Sequence, residues 1–264
     1  QNSPELSKKF SKFGAKLIKK ASEQVGWDQQ DSDGHLTRLL RATLIRLQSQ
    51  FLADDPEIQQ KAIERFEAFA EDPIKNQSEL PSDIKTAVIK MVLSSSSDPA
   101  YYEKCLEIID LAETTQAKKE VYLAIGHTKS MELKKRTLSW SISGALKKQD
   151  FFYSWASTSA GSIDCQQLTW EFFQDNFDKI IDWIRTASPS ILAAVVSNAC
   201  GSFASEEKAK EVEAFFKTHQ DHPVPLISRK LSQLTENIRA NAKFLRIMEK
   251  SPKFKANLDM DKML

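Results

Sequence analysis

Apolar residues in this chain recur every three to four positions from end to end, and no segment of any length alternates apolar with polar as a half-buried strand does. That period admits helices and excludes a sheet as the organising layer. It predicts roughly a dozen helices of about 10–15 residues joined by short connections, ordinary values for an all-helical chain. A bundle needs a few long helices. Many short ones in succession suit antiparallel helix pairs stacked into a curved, HEAT- or armadillo-like superhelical array. The repeat is structural only, because no strict sequence period and no known repeat signature is present. The expected architecture is all-α, with residues 1–264 as a single domain.

The stretch from Asp164 to Trp183, DCQQLTWEFFQDNFDKIIDW, carries the strongest pattern. Asp164 and Gln167 form a variant capping box that predicts a helix start. Leu168, Phe172 and Phe173 share a face that Phe177, Ile180, Ile181 and Ile184 continue, so one long helix is expected. Its aromatics, at ~150–250 Å² each, should make it the best-packed element of its neighbourhood. This pattern is that of a core helix and carries no chemistry by itself.

Elsewhere, Pro4 to Val25 reads as a basic amphipathic helix with Leu6, Phe10, Phe13, Leu17, Ile18 and Ala21 on one face, stopped by Gly26. The next helix begins after Asp33-Gly34, with Leu36, Leu39, Leu40, Thr43, Leu44 and Leu47 expected inward. Asp55-Pro56, Ser82-Asp83, Thr114 and Ser205 mark further starts, and Gly126 is expected as a left-handed terminator of the helix Gln116 to Ile125. A helix from Lys147 to Ser159 is expected, with Asp150 capping or pairing at its start. The last helix should run from Leu226 to Glu249.

With 37 Lys+Arg against 36 Asp+Glu the net charge is +1, so no nucleic-acid footprint is indicated. No apolar run approaches the ~20 residues of a membrane span, and no membrane partner is expected. Cys105, Cys165 and Cys200 lack metal-type spacing and cannot form a closed disulfide set, which reads as thiols in a reducing, cytoplasmic compartment. His35, His127, His219 and His222 include no helical i, i+4 pair; His219 and His222 beside Pro223 read as a solvated pair in a turn. No H-E-x-x-H, phosphate loop or G-x-S-x-G occurs, so the residues themselves supply no catalytic centre.

LTWEFFQDNFDKI closely resembles the signature of the C-terminal domain of zinc aminopeptidases of the puromycin-sensitive and endoplasmic-reticulum type. Other segments resemble that domain in order: VGWD (25–28), HLTRLLR (35–41), AIERFEAF (62–69), LPSDIKTAVIKMVL (80–93), KKQDFF (147–152), CGSFASEEKAKEVEAFF (200–216) and ENIRANAKFL (236–245). The resemblance covers nearly the whole chain. It implies an all-helical C-terminal domain that closes over a thermolysin-like catalytic domain, the latter holding zinc through H-E-x-x-H and the substrate amino group through G-A-M-E-N. Neither motif is in this chain. Opening on Gln1, the chain is expected to be a fragment, inactive alone, with no cofactor of its own.

The implied partners are the catalytic domain of the same parent and peptide substrates threaded into the cavity between them. By that resemblance His127, in the loop after the helix ending at Ile125, sits where a basic residue holds a peptide's C-terminus. A partly charged imidazole would hold it less firmly than Arg and in a pH-sensitive way. Arg38 and Arg41 either face the cavity or bridge neighbouring helices. The alternative to the aminopeptidase reading is an autonomous helical-repeat scaffold that binds a protein or peptide in its concave groove.

Overall fold

The computed structural model describes residues 4–221 and 223–258, which leaves His222 outside the described residues. Among them are fourteen α-helices, one short 3-10 turn and no strand, as the period demands. The helices fall into two compact units: one gathers the chain up to Lys129 together with the residues from Ser251 onward, and the other runs from Ser130 to Lys250.

The first unit contains α1 (Pro4–Val25), α2 (His35–Phe51), α3 (Pro56–Glu71), α4 (Ser82–Ser95), α5 (Pro99–Leu111), α6 (Thr115–Ile125) and α14 (Pro252–Leu258). The starts are chemically explicit. Asp55 accepts from the Glu57 and Ile58 amides with Pro56 in the first turn, and Asp98 and Thr114 each accept one first-turn amide. Gly26 ends α1 at φ +64°, the left-handed geometry that favours glycine. Gly126, expected to do the same for α6, stays right-handed at φ −74°. Its amide bonds to the Ala124 carbonyl, a tightened last turn that satisfies the end without a left-handed residue.

α4 is the hub of this unit. It packs on α2, α3 and α6, and buries Val88, Ile89, Met91 and Val92 almost completely. α1 lies against α2, with α14 on α1. Gly14 faces the Phe51 ring so closely that an added Cβ would stand 2.7 Å from it. Gly14 lies mid-α1 beside the end of α2, while Val25 at the end of α1 meets Arg41 in the first half of α2, so the two helices are antiparallel.

The second unit contains α7 (Met131–Ser141), α8 (Phe152–Ser159), α9 (Ile163–Asp175), α10 (Phe177–Ile184), α11 (Pro189–Cys200), α12 (Glu206–Thr218), the 3-10 turn Val224–Ile227 and α13 (Ser228–Lys250). The helix expected from Asp164 to Trp183 is two. Asn176 takes φ −113°, ψ 15°, and both its backbone amide and its Nδ2 donate to the Phe172 carbonyl, so the side chain competes for the helical acceptor. The break is one residue long and keeps Phe177, Ile180, Ile181 and Ile184 buried. The start differs too. Ser162 caps α9 by accepting from the Cys165 amide, and Gln167 reaches forward to Glu171 instead of back. Residues 147–151 form turns before α8, whose first turn has no side-chain cap, so Asp150 does not fill the capping role expected of it.

Aromatics dominate this core. Trp170 stacks on Phe173 at 5.6 Å and meets Phe203, Phe215 and Phe216, and its indole N–H donates to Glu211 at 2.6 Å. Trp155, fully buried, donates to the Ser141 hydroxyl at 2.8 Å. Removing that acceptor strands a buried indole N–H, at a cost of ~1–3 kcal/mol. Ser141→Ala should lower stability by about that amount in urea unfolding. Paired with Trp155→Phe, it should cost clearly less than the sum of the two single changes, because the phenyl ring has no donor to strand.

Candidate functional site

The segments singled out around VGWD, HLTRLLR and AIERFEAF converge in the first unit. Arg41, 3% exposed, donates from Nη1 to Asp33 Oδ2 at 2.6 Å and from Nη2 to the Val25 carbonyl at 3.1 Å. One guanidinium thus ties the end of α1, the 26–34 loop and α2 together. Trp27 donates its indole N–H to the buried Gln48 at 2.9 Å, while Asp28 pairs with Arg65 of α3, whose guanidinium carbon lies 5.8 Å from the Trp27 ring centre. Asp33 also accepts from the Gln30 amide at 2.7 Å, which shapes the loop. The hydrogen bond from Arg41, and after it the one from Gln30, hold the Asp33 carboxyl below the usual carboxylate range.

Beside this knot lies a groove of about 1370 Å³ bounded by α1, α2 and α3. Ala15, Trp27, Leu52 and Ile58 give it apolar surface; Lys19 and Arg65 stand among its charged walls. Much of that charge is already paired, Lys19 with Glu23 and Lys61 with Glu57, in exposed ion pairs worth little to stability. A smaller cavity of about 280 Å³ borders Phe69, Ile74, Ile108 and Leu111, with the buried Lys85 at its edge. Lys85 lies 3.3 Å from Glu120 and donates to Gln77 at 3.2 Å. Ser82 and Gln116 also donate to Glu120 Oε1, while its buried Oε2 has no hydrogen-bond partner among the described residues beyond the ion pair with Lys85.

The expected peptide-binding residues separate. The Arg41 guanidinium is enclosed and engaged, the bridging arrangement that was one of the two expected for it. Arg38, three residues earlier on α2, is exposed. His127 follows α6 through Gly126, is half-buried, and donates its amide to the Ala124 carbonyl at 2.9 Å. It stands on a different element from the two arginines. Sequence reasoning missed Trp27, Gln48 and Arg65 as a linked set and Lys85 with Glu120 as a buried pair; the VGWD and AIERFEAF segments were the one signal for the first.

Among the described residues no group of three His, Cys, Asp or Glu side chains is placed to hold a metal ion. Burial pushes the Cys105 and Cys200 thiols far up, away from the reactive thiolate. No helix among the described residues is long and apolar enough to cross a membrane.

The described residues are all-helical and carry a groove beside the Arg41 knot, and comparison with known proteins says to which family such a chain belongs. The family described as "ERAP1-like C-terminal domain" matches residues 1–240, and the chain belongs to it. It is 27% identical over 249 residues to Aminopeptidase M1 of Arabidopsis thaliana, covering 93% of this chain and 27% of that protein. The Alanine/arginine aminopeptidase of Saccharomyces cerevisiae is 24% identical over 236 residues, 89% of this chain and 26% of its own length. Endoplasmic reticulum aminopeptidase 2 of Homo sapiens is 24% identical over 242 residues, 90% and 24%. The chain spans about a quarter of the length of these relatives.

The Arg41 pair sets a pH dependence. A carboxyl whose folded pKa is depressed contributes its stability in full above the unfolded value of about 3.9, and the contribution disappears as the pH falls through the lower folded value. Asp33→Asn should lower the urea midpoint at pH 7. Below pH 4 its midpoint should fall less steeply than that of the unaltered protein, so the two curves converge in acid.

Proposed function

We propose that this chain is the non-catalytic C-terminal domain of a zinc metallo-aminopeptidase, which encloses the active-site cavity and helps bind the body of a peptide while a separate catalytic domain removes its N-terminal residue. The observation that carries the reading is the family match over residues 1–240, joined to relatives whose names are those of aminopeptidases and of which this chain spans only a part. Residues 1–264 are one domain in this reading.

Zinc belongs to the catalytic domain of the parent. Among the described residues no group of three His, Cys, Asp or Glu is placed to hold it, and in this reading bond cleavage belongs to that catalytic domain. What the chain contributes is binding and exclusion: a helical wall that keeps bulk water and folded proteins from the cavity and meets the middle and far end of a bound peptide. His127, half-buried at the end of α6, and the exposed Arg38 are the side chains proposed to meet the peptide. Each can bind a carboxylate or carbonyl oxygen without taking part in bond cleavage.

Hydrolysis of a panel of aminoacyl fluorogenic amides, with and without added zinc, tests the reading. The 264-residue chain should be inactive in both conditions, and the chain extended through its catalytic domain should be active and chelator-sensitive. Chelator-sensitive activity in the 264 residues alone would overturn it. In the extended protein His127→Ala should raise KM for long peptides about two- to tenfold, the loss of one hydrogen bond, and leave KM for aminoacyl amides unchanged.

A further inference from the structure

Cys165 stands where two helices of the second unit meet. At 7% exposure, against 0% for Cys105 and 1% for Cys200, it is the least enclosed of the three cysteines. It lies in the first turn of α9, where the Ser162 hydroxyl donates to its Sγ at 3.2 Å. From α7, which packs on α9, the 4% exposed Lys134 reaches the same sulfur and hydrogen-bonds to it. A buried ammonium ordinarily faces a carboxylate; here a thiol stands beside it. Burial pulls the Lys134 ammonium below the ordinary lysine range, and the neighbouring sulfur opposes this only in part. The share of neutral amine, with a free lone pair, rises accordingly.

We propose that Lys134 and Cys165 form a peroxide-modified site, at which oxidation joins the two side chains through one oxygen as Sγ–O–Nζ. The proposal stands independently of the aminopeptidase reading. Its atoms balance with two molecules of hydrogen peroxide. One oxidises the thiol to the sulfenic acid, forming the S–O bond, breaking O–O and releasing water. The other oxidises the neutral amine to the hydroxylamine, forming the N–O bond and again releasing water. The hydroxylamine oxygen then displaces hydroxide from the sulfenic sulfur, and its proton leaves with that hydroxide as a third water. Sulfur and nitrogen each lose two electrons, and each peroxide gains two. The contact between the two side chains favours this condensation, because the attacking group is already held against the sulfur. The product ties α7 to α9, and two dithiols reverse it by returning the thiol, the amine and one water.

The test exposes the folded 264-residue chain to hydrogen peroxide, digests it without reductant and reads the peptides by mass spectrometry. The expected product joins a Lys134 peptide to a Cys165 peptide with a mass gain of one oxygen less two hydrogens, and dithiothreitol removes it. Its formation should raise the urea midpoint of unfolding, a shift that dithiothreitol abolishes, because a cross-link restricts the unfolded chain. Lys134→Arg keeps a cation beside the sulfur but supplies no amine. In that variant the linked pair should be lost and Cys165 should stop at the sulfenic acid, trapped by dimedone. In the unaltered protein, a Cys165 carried to sulfenic or sulfinic acid without the linked pair overturns the proposal. So does a Cys165 that stays reduced, a disulfide in place of the link, or an equal yield of the link from urea-unfolded protein. These readings come from the unaltered chain and hold whether or not the arginine variant folds.

Discussion

A guanidinium with almost no contact with water is an expensive thing to fold around, and the first unit is arranged to make Arg41 tolerable. Two of its nitrogens reach an anion and a carbonyl, while Nε has no hydrogen-bond partner among the described residues. Removing one partner of such a pair leaves an uncompensated buried charge. The path of the 26–34 loop follows from that constraint: Gly26 turns the chain back so that Val25 offers its carbonyl, and the Gln30 amide fixes Asp33 opposite the guanidinium. Trp27 and Asp28 then fall against Gln48 and Arg65, which joins α3 to the same knot. The polar interior of α2 and its leucine exterior are two sides of one arrangement.

The second unit is held differently. Its core is a continuous group of rings, Trp170, Phe173, Phe177, Phe215 and Phe216, supplemented by two indole N–H groups that each find an oxygen. Aromatic packing of this kind is non-directional in energy but particular in shape, and it tolerates the one-residue break at Asn176 because the break does not turn any ring away from the core. One unit is thus organised by a charge and the other by a cluster of rings.

Most of the helical content was legible because it depends on period and caps, both local properties. Asp55-Pro56, Thr114 and Ser205 cap the helices expected of them, and Gly26 stops α1. What the pattern could not carry was which apolar face turns inward. α2 has two such faces, and the burial of Arg41 and Gln48 was decided by partners 16 and 21 residues away in the chain. The same limit hid the break at Asn176, where a side-chain amide competes for a backbone carbonyl, and α14, which packs on the opposite end of the sequence. Arg38, Arg41 and His127 came from a resemblance, and which of the two α2 arginines is enclosed and which exposed could be read only from the packing.

The three cysteines show how enclosure changes what a residue can report. All are buried, and the thiols of Cys105 and Cys200 are held far above their ordinary range by lack of solvent. A sulfur that neither ionises nor meets an oxidant is chemically silent. Unpaired cysteines of this sort fold equally well under glutathione or in an oxidising lumen, so the core carries no mark of the redox compartment around it.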